Sequence, residues 1–459
     1  MHELTGRTHW HEPTGNDRAG FGAFGRPKTP YDLFMESEGI PIYRDIGVSK
    51  VQNLPLAPWK RLGGKGTYIQ LHGTEGKWGS YVVEVPGAGA LNPEKHLYEE
   101  VVISGLCTGC AGCVIVCPHD VLGYNDENGV YKPFQFEEGW GPDNCSHGEK
   151  GCTSCTRACP RFRAWEPEID EFMFGRTREP IEVEGVSKDI VLARATDPVL
   201  AEVGQDGGLV SAILLYALER DIIDAALVSY LEGDGSTWKA KPGVARTKED
   251  IIASAGSRYT YSANTMAYDE AIESGAERLA LVGMSCQSSV PPVMNQRRAG
   301  KVGRRMALNI GLLCSKTFDD AIFEELLEAK YGLKRAEIKK MNIKGRLQIW
   351  THDGRYVEVP LKECHAFTRE GCKLCPDFAA EHADISTGGI GAFNDWTLTL
   401  VRTDVGREIM EGLERDGWIE VRGADEDLGA LELLHKLAKK QRARWPEFAH
   451  IDAPRLVGA

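Results

Sequence analysis

Nothing in this chain marks it for export, for a bilayer or for nucleic acid. The N-terminus, MHELTGRTHWHEPTG, has no basic stretch leading into an apolar run, so a secretory signal is not expected. The longest clean apolar stretch, 209–218, falls far short of the roughly 20 residues a spanning helix needs. A net charge of −13 over 459 residues argues against a general nucleic-acid binder. The glycine-rich stretches hold neither G-x-G-x-x-G nor a P-loop, the two commonest nucleotide signatures. No internal repeat is present beyond one doubled cysteine motif. With no export signal, thirteen cysteines point to reduced, metal-bound thiolates in the cytoplasm rather than to disulfides. Membrane association would come only through a partner.

What is present centres on residues 107–159. The first run, CTGCAGCVIVCP, is C-x2-C-x2-C-x3-C-P, built from Cys107, Cys110, Cys113 and Cys117. The second, CSHGEKGCTSCTRACP, is C-x6-C-x2-C-x3-C-P, built from Cys145, Cys152, Cys155 and Cys159. Three closely spaced thiolates can hold three corners of an iron–sulfur cube, while the fourth points to a second cube. The expected pairing is crossed. Cys107, Cys110, Cys113 and Cys159 would hold one [4Fe–4S] cluster, and Cys145, Cys152, Cys155 and Cys117 the other. Zinc prefers two C-x2-C pairs set further apart. The x6 spacing predicts a small extra loop, with His147 at its polar tip.

A length of 459 residues predicts two to three domains. Residues 1–99 read as a separate β-rich region: a Gly- and Pro-rich arm over 1–37, then short β-type runs at 66–71 and 79–85. The stretch from PLAPWKRLGGKGTYIQL to HLYEE resembles the first part of a cupin barrel, with His96 and Glu100 near a metal half-motif. The second His is missing, so a role in packing or in contact between subunits is expected. Residues 100–166 form a ferredoxin-like domain and 167–188 a linker. From 189 onward, strands and helices alternate. Strands are expected near 190–193, 225–230, 278–282, 306–313, 348–351, 356–359 and 398–402. Helices are expected at 198–203, 209–220, 249–253, 263–274, 318–331, 406–416 and 428–442. The fold class is therefore α/β, a mixed sheet with flanking helices, read in two parts, 189–300 and 301–459.

Four further cysteines are placed informatively. Cys286 and Cys314 follow strands, and in a parallel sheet the strand carboxyl ends share the ligand-binding edge. Cys372 and Cys375 form a C-x2-C loop. Together they suit either zinc or a third cluster, and the neighbouring ferredoxin motif favours the cluster. Only Cys364 is left over. Gln205, Asp206, Gly207 and Gly208 precede a helix, Gly256 to Ser262 offers hydroxyls and the Arg258 cation, and Thr387 to Gly391 is a third candidate. Paired glycines let backbone N–H groups approach a flat or anionic ligand. Clusters pass single electrons whereas organic substrates exchange two, so a flavin is expected between them.

The residues from 189 onward resemble the coenzyme F420 hydrogenase/dehydrogenase beta-subunit family. The resemblance is carried by LARATDPVLAEVGQDGGLVSAILLYALERDIID, SAGSRYTYSAN, the segment around Cys286–Gln287, GLLC, LKECHAFTREGCKLCPDFAAEHADISTGGIG and WTLTLVRTDVG. Relatives carrying an added ferredoxin segment include F420H2 dehydrogenase input subunits and chlorophyll-type reductases. The resemblance implies FAD, a cluster on Cys286, Cys314, Cys372 and Cys375, and coenzyme F420 as substrate. It also implies flavin contacts from Gln205, Asp206, Gly207, Gly208, Ser257, Arg258, Tyr259, Thr260, Ser262 and Asn264, with Gly388 and Gly389. Arg258 stands where that family usually has Lys, and Cys364 where Thr is common.

The expected function is hydride exchange between coenzyme F420 and FAD, with single electrons passed through the clusters to or from a hydrogenase-, dehydrogenase- or ferredoxin-type partner. A ferredoxin-dependent reductase of an organic substrate is the alternative, and a non-catalytic electron-transfer subunit is another. No catalytic side chain is assigned. His365 and His382 are read as structural, and oligomerisation is left open.

Overall fold

The computed structural model describes residues 10–11, 35–36, 38–45, 47–48, 50–59, 64–71, 80–84, 97–126, 129–135, 145, 147, 152–162 and 165–446. It divides into two compact units, Met1–Lys95 with Ser146–Cys152, and His96–Cys145 with Thr153–Ala459. Among the described residues no helix is long and apolar enough to cross a membrane.

The first unit is a five-stranded sheet: β1 (Trp10–His11), β2 (Ile42–Asp45), β3 (Ala57–Trp59), β4 (Gly64–Leu71) and β5 (Ser80–Glu84). Its long strand β4 pairs parallel with β2 and antiparallel with β3 and β5. Trp59, Tyr68 and Tyr81 meet edge to face, with ring centroids 5.0–6.3 Å apart, a geometry that the ring quadrupoles favour. Gly66 is required there, since a Cβ would overlap the Trp59 ring. His96 lies outside the described residues, and Glu100 sits in the helix Tyr98–Ile103.

The second unit begins with the cysteine loop and a hairpin, β6 (Leu122–Asn125) and β7 (Lys132–Gln135). Its main sheet follows: β8 (Asp189–Ala195), β9 (Ala225–Leu231), β10 (Ala240–Ala245), β11 (Leu279–Met284) and β12 (Met306–Leu312). A separate three-stranded sheet holds β13 (Ile338–Ile343), β14 (Arg346–Thr351) and β15 (Tyr356–Pro360). The chain then returns to the main sheet with β16 (Ile385–Gly388), β17 (Thr397–Val401) and β18 (Ile419–Gly423). The main order is β10-β9-β11-β12-β16-β17-β8-β18. Its centre, β9-β11-β12-β16, is parallel, and antiparallel strands close both sides. The residues before and after position 300 thus build one sheet.

The period-two alternation of the strands sorts the core onto two faces. Ala226, Val228, Ala280, Val282, Leu308 and Ile310 pack under the helices Leu209–Glu219 and Asp404–Arg415. Their neighbours Ala225, Leu227, Leu279 and Leu281 pack against Ile115, Val116 and Ala158 of the cysteine segment. Burying each large apolar side chain contributes about 1.5–3 kcal/mol. The cysteine segment is thereby fastened to one face of the sheet.

Helix ends follow local chemistry. Asp197 caps the helix Pro198–Val203 by accepting from the N–H groups of Val199 and Leu200, and proline suits the first helical position. A Thr247–Asp250 capping box opens the helix Lys248–Ser254. Strands β10, β13, β16 and β18 are absent from the expected set. Of these, β10 reads AKPGVA, and its Pro and Gly are tolerated because it is an edge strand. The helix expected at 318–331 starts only at Ile322, because Phe318 is held in a bridge to Thr368.

Candidate functional site

The carboxyl ends of β9, β11, β12 and β16 share one edge, and a cavity of about 730 Å³ opens there. That volume lies within the range of cofactor and ligand sites. Of the glycine-rich and hydroxyl residues named from the sequence, Gln205, Asp206, Gly208, Ser257, Arg258, Tyr259, Thr260, Ser262, Asn264, Gly388 and Gly389 come together on its wall, while Gly207 and Tyr261 do not reach it. Gly207 turns away, and a Cβ on it would overlap Asp395 O.

The wall is held by backbone conformations that the sequence only hints at. Asp206 and Tyr259 are both left-handed, at φ 50° and 57°. Gly208, at φ 71°, starts the helix Leu209–Glu219, and a Cβ there would overlap Leu200 O. Gly389 lies against Asp206, where a Cβ would overlap the carboxylate. Burial pushes the Asp206 carboxyl up, and Lys344 Nζ, 3.5 Å away, opposes the shift. Asn264 is locked in place: its N–H donates to Gln287 Oε1 at 2.9 Å and its Nδ2 to Val282 O at 2.7 Å.

Several buried polar atoms on this wall have no hydrogen-bond partner in the protein: Gln205 Oε1 and Nε2, and Thr260 Oγ1. Leaving such groups unpaired costs about 1–3 kcal/mol each, so the cavity is built for a ligand with polar edges. Arg258 is used differently from the expected cofactor cation. Its guanidinium donates to the carbonyls of Ser254 at 3.0 Å, Gly256 at 2.6 Å and Ala255 at 3.2 Å, closing the end of the helix Lys248–Ser254. Burial lowers its pKa to about 10.

The cavity wall also includes Cys314, just beyond β12. Cys286 lies just beyond β11, in the short helix Ser285–Ser288, while Cys372 sits in the short helix Glu370–Lys373 that follows the small sheet and Cys375 just beyond it. The four thiols lie within electrostatic reach of one another. Cys286 is pushed up by burial first and then by Cys375, Cys110 and Cys372, and Cys314 by burial and then by Cys372, Cys286 and Cys375. Hydroxyls flank them, with Tyr261 Oη 3.6 Å from Cys286 Sγ and Thr317 Oγ1 3.5 Å from Cys372 Sγ. Thiols that burial keeps protonated become ligands only when a cation compensates the thiolate charge.

A second thiol group lies beside the first. Cys107, Cys110, Cys113 and Cys159 line one small apolar cavity with Val101, Val102 and Ala111. Burial, then Cys159 and Cys107, pushes Cys110 up to about 12. Cys159 reaches about 12 through burial and the approach of Cys107. The loop needs its glycine, because a Cβ on Gly109, at φ 79°, would overlap Tyr131 O. The two groups touch through the backbone, since a Cβ on Gly371 would overlap Cys107 O. Buried Arg369 spans them, donating to Thr108 O at 3.2 Å and lying 3.6 Å over the Tyr261 ring.

Cys117, Cys145, Cys152 and Cys155 are each partly buried. Cys152 ends the 146–152 stretch that belongs to the N-terminal unit, whereas the other three belong to the larger one. No disulfide joins any of the thirteen cysteines. Among the described residues no three His, Cys, Asp or Glu side chains form a group that could hold a metal ion by themselves. Sulfurs at the corners of a cube stand further apart than the donors of one zinc ion, about 2.3 Å from the metal.

Cys364 is fully buried in the apolar core of the small sheet, donating to Pro360 O at 3.7 Å. His382 is fully buried, 2.8 Å from Asp170, and His365 is exposed. Sequence reasoning missed Lys344, Lys316, Leu433 and Leu437 on the cavity wall, and Arg161 and Arg369 between the thiol groups. The Lys344–Gly345 turn between two strands was a signal for the first of these. Arg161 follows Cys159–Pro160 directly.

Two family models for the beta subunit of coenzyme F420 hydrogenase/dehydrogenase match this chain, the N-terminal one over 190–268 and the C-terminal one over 276–427. The beta subunit of coenzyme F420 hydrogenase in Methanothermobacter thermautotrophicus is 36% identical over 273 residues, covering 57% of this chain and 94% of that protein. A subunit of the F(420)H(2) dehydrogenase of Methanosarcina mazei is 27% identical over 348 residues, covering 75% of this chain and 91% of that protein. A solved chain of the F420-reducing [NiFe] hydrogenase complex from Methanosarcina barkeri superposes with a TM-score of 0.55 at 34% identity. It covers 58% of this chain and 92% of its own. The chain belongs to the coenzyme F420 hydrogenase/dehydrogenase beta-subunit family of oxidoreductases.

Proposed function

We propose that this chain is an iron–sulfur flavoprotein subunit that exchanges hydride between coenzyme F420 and FAD. It would pass single electrons through [4Fe–4S] clusters to or from a partner subunit. The observation that carries this reading is the double position of Cys314, which lies on the wall of the 730 Å³ cavity and among four grouped thiols. A flavin in that cavity supplies two-electron chemistry toward the deazaflavin and one-electron chemistry toward a cluster.

The residues present fit that group. Gln205 and Thr260 offer unpartnered polar atoms to its edges, and Lys344 offers a cation to its anionic part. Gly208 leaves the N-terminus of an 11-residue helix open toward phosphate. Leu433 and Leu437 add apolar surface to the wall. Cys286, Cys314, Cys372 and Cys375 would hold one cluster, and Cys107, Cys110, Cys113 and Cys159 a second. On spacing alone, Cys145, Cys152, Cys155 and Cys117 would hold a third. The names of the relatives, which include a coenzyme F420-dependent sulfite reductase of Methanocaldococcus jannaschii at 31% identity, support F420 as the substrate and a redox partner subunit. A reducing cytoplasm suits thirteen cysteines that form no disulfide.

Anaerobic purification followed by flavin and iron analysis tests the cofactor set. The reading expects one FAD and about 12 iron atoms per chain. A protein with iron but no flavin would overturn it in favour of a pure electron-transfer subunit.

A further inference from the structure

Arg161 donates a hydrogen bond to a sulfur in each of the two cysteine sets. The main-chain N–H of Arg161 donates to Cys159 Sγ at 3.4 Å, and its Nη2 donates to Cys375 Sγ at 3.4 Å. The side chain is buried, at 2% exposure. It lies 5.3 Å from the Trp165 ring and 5.8 Å from that of Trp445. Its Nε and Nη1 have no hydrogen-bond partner. The same residue lines the small cavity enclosed by Cys107, Cys110, Cys113 and Cys159. A guanidinium stays protonated even when buried. This one therefore sets a fixed positive charge between two sulfur sites, with the N–H groups of Nε and Nη1 in reserve.

We propose that Arg161 is the positioning residue that couples the two clusters, stabilising the reduced state of each through its charge and holding Cys375 in place through its hydrogen bond. The inference rests on the iron–sulfur reading above. An electron arriving at either cluster adds one negative charge beside the guanidinium, so the reduced form is favoured on both sides. Hydrogen bonds to cluster sulfurs and nearby charge are established determinants of cluster potential. A residue kept only for packing would move neither potential.

The test is a redox titration followed by electron paramagnetic resonance on the full-length holoprotein and its Arg161→Gln and Arg161→Lys variants, with iron measured on each. In Arg161→Gln two of the three centres are expected to shift to more negative midpoint potentials while the third stays. Arg161→Lys, which keeps the charge, is expected to recover most of that shift. Unchanged midpoints in an iron-replete Arg161→Gln protein overturn the inference and leave the iron–sulfur reading standing. Wild-type protein without iron or cluster signals overturns that reading instead. If Arg161→Gln loses iron, Arg161→Lys decides. Iron restored with the charge supports the proposal, and iron still lost assigns the position to shape alone.

Discussion

The hydroxyl of Tyr261 stands 3.6 Å from the sulfur of Cys286, and both residues are buried. Tyr261 is also held by Tyr131, edge to face at 5.2 Å, and by Arg369 over its ring. Tyr261→Phe keeps both ring contacts and removes only the hydroxyl. The expected cost in stability is about 0.5–1.5 kcal/mol. One cluster midpoint should become more negative, read by the same redox titration. An unchanged set of midpoints would show that the hydroxyl does not act on the cluster.

The leftover thiol separates ligands from packing. Burial pushes Cys364 up to about 11, and it sits inside an apolar core where no other cysteine contributes to the shift. Cys364→Ala should leave iron content unchanged and lower stability by about 1 kcal/mol through the small cavity it leaves. Cys314→Ala should instead lose about 4 iron atoms per chain. Equal iron loss in the two variants would contradict the assignment.

Gly389 tests the cavity. A methyl group there would run into Asp206, which is already left-handed and faces Lys344. Gly389→Ala should cost about 1–3 kcal/mol of overpacking strain and reduce the flavin recovered with the purified protein. Iron content should not change. Full flavin retention would move the cofactor away from this wall.

The ion cluster behind Cys375 gives a signed pH dependence. Burial lowers the pKa of His382 below its ordinary value of about 6.5, against the opposing pull of Asp170. The unfolded chain therefore binds the proton more readily, and stability contributed by neutral His382 is lost as pH falls below about 6.5. Asp170 would be raised by burial, but hydrogen bonds from Arg178 and His382 hold it well below the usual carboxylate range. Its contribution persists above about pH 4 and is lost only in stronger acid. The melting temperature of wild type should drop more between pH 7.5 and 5.5 than that of His382→Gln. Equal drops would remove His382 from the account.

How much of this was legible in the sequence depended on what each signal needed. Cysteine spacing is a local property, and the Cys107–Cys117 motif could be read without a fold. The four scattered thiols became readable because Cys286 and Cys314 end predicted strands, and strand ends in a parallel sheet share an edge. Lys344 was not legible, because its position depends on a three-stranded sheet packing beside the main one. Arg258 was legible as a cation but not in its use, since it donates back to the end of its neighbouring helix across left-handed Gly256. Strand β10 was hidden by its own Pro and Gly, which only an edge position permits.

The central claim joins the cavity to the thiol groups in one electron path. The most direct measurement is an anaerobic optical titration of the purified, cofactor-analysed protein with reduced coenzyme F420. The account predicts that flavin and cluster absorbance bleach together as the oxidised deazaflavin band appears. Flavin that stays oxidised in the presence of reduced coenzyme F420, yet bleaches with reduced ferredoxin, would contradict it.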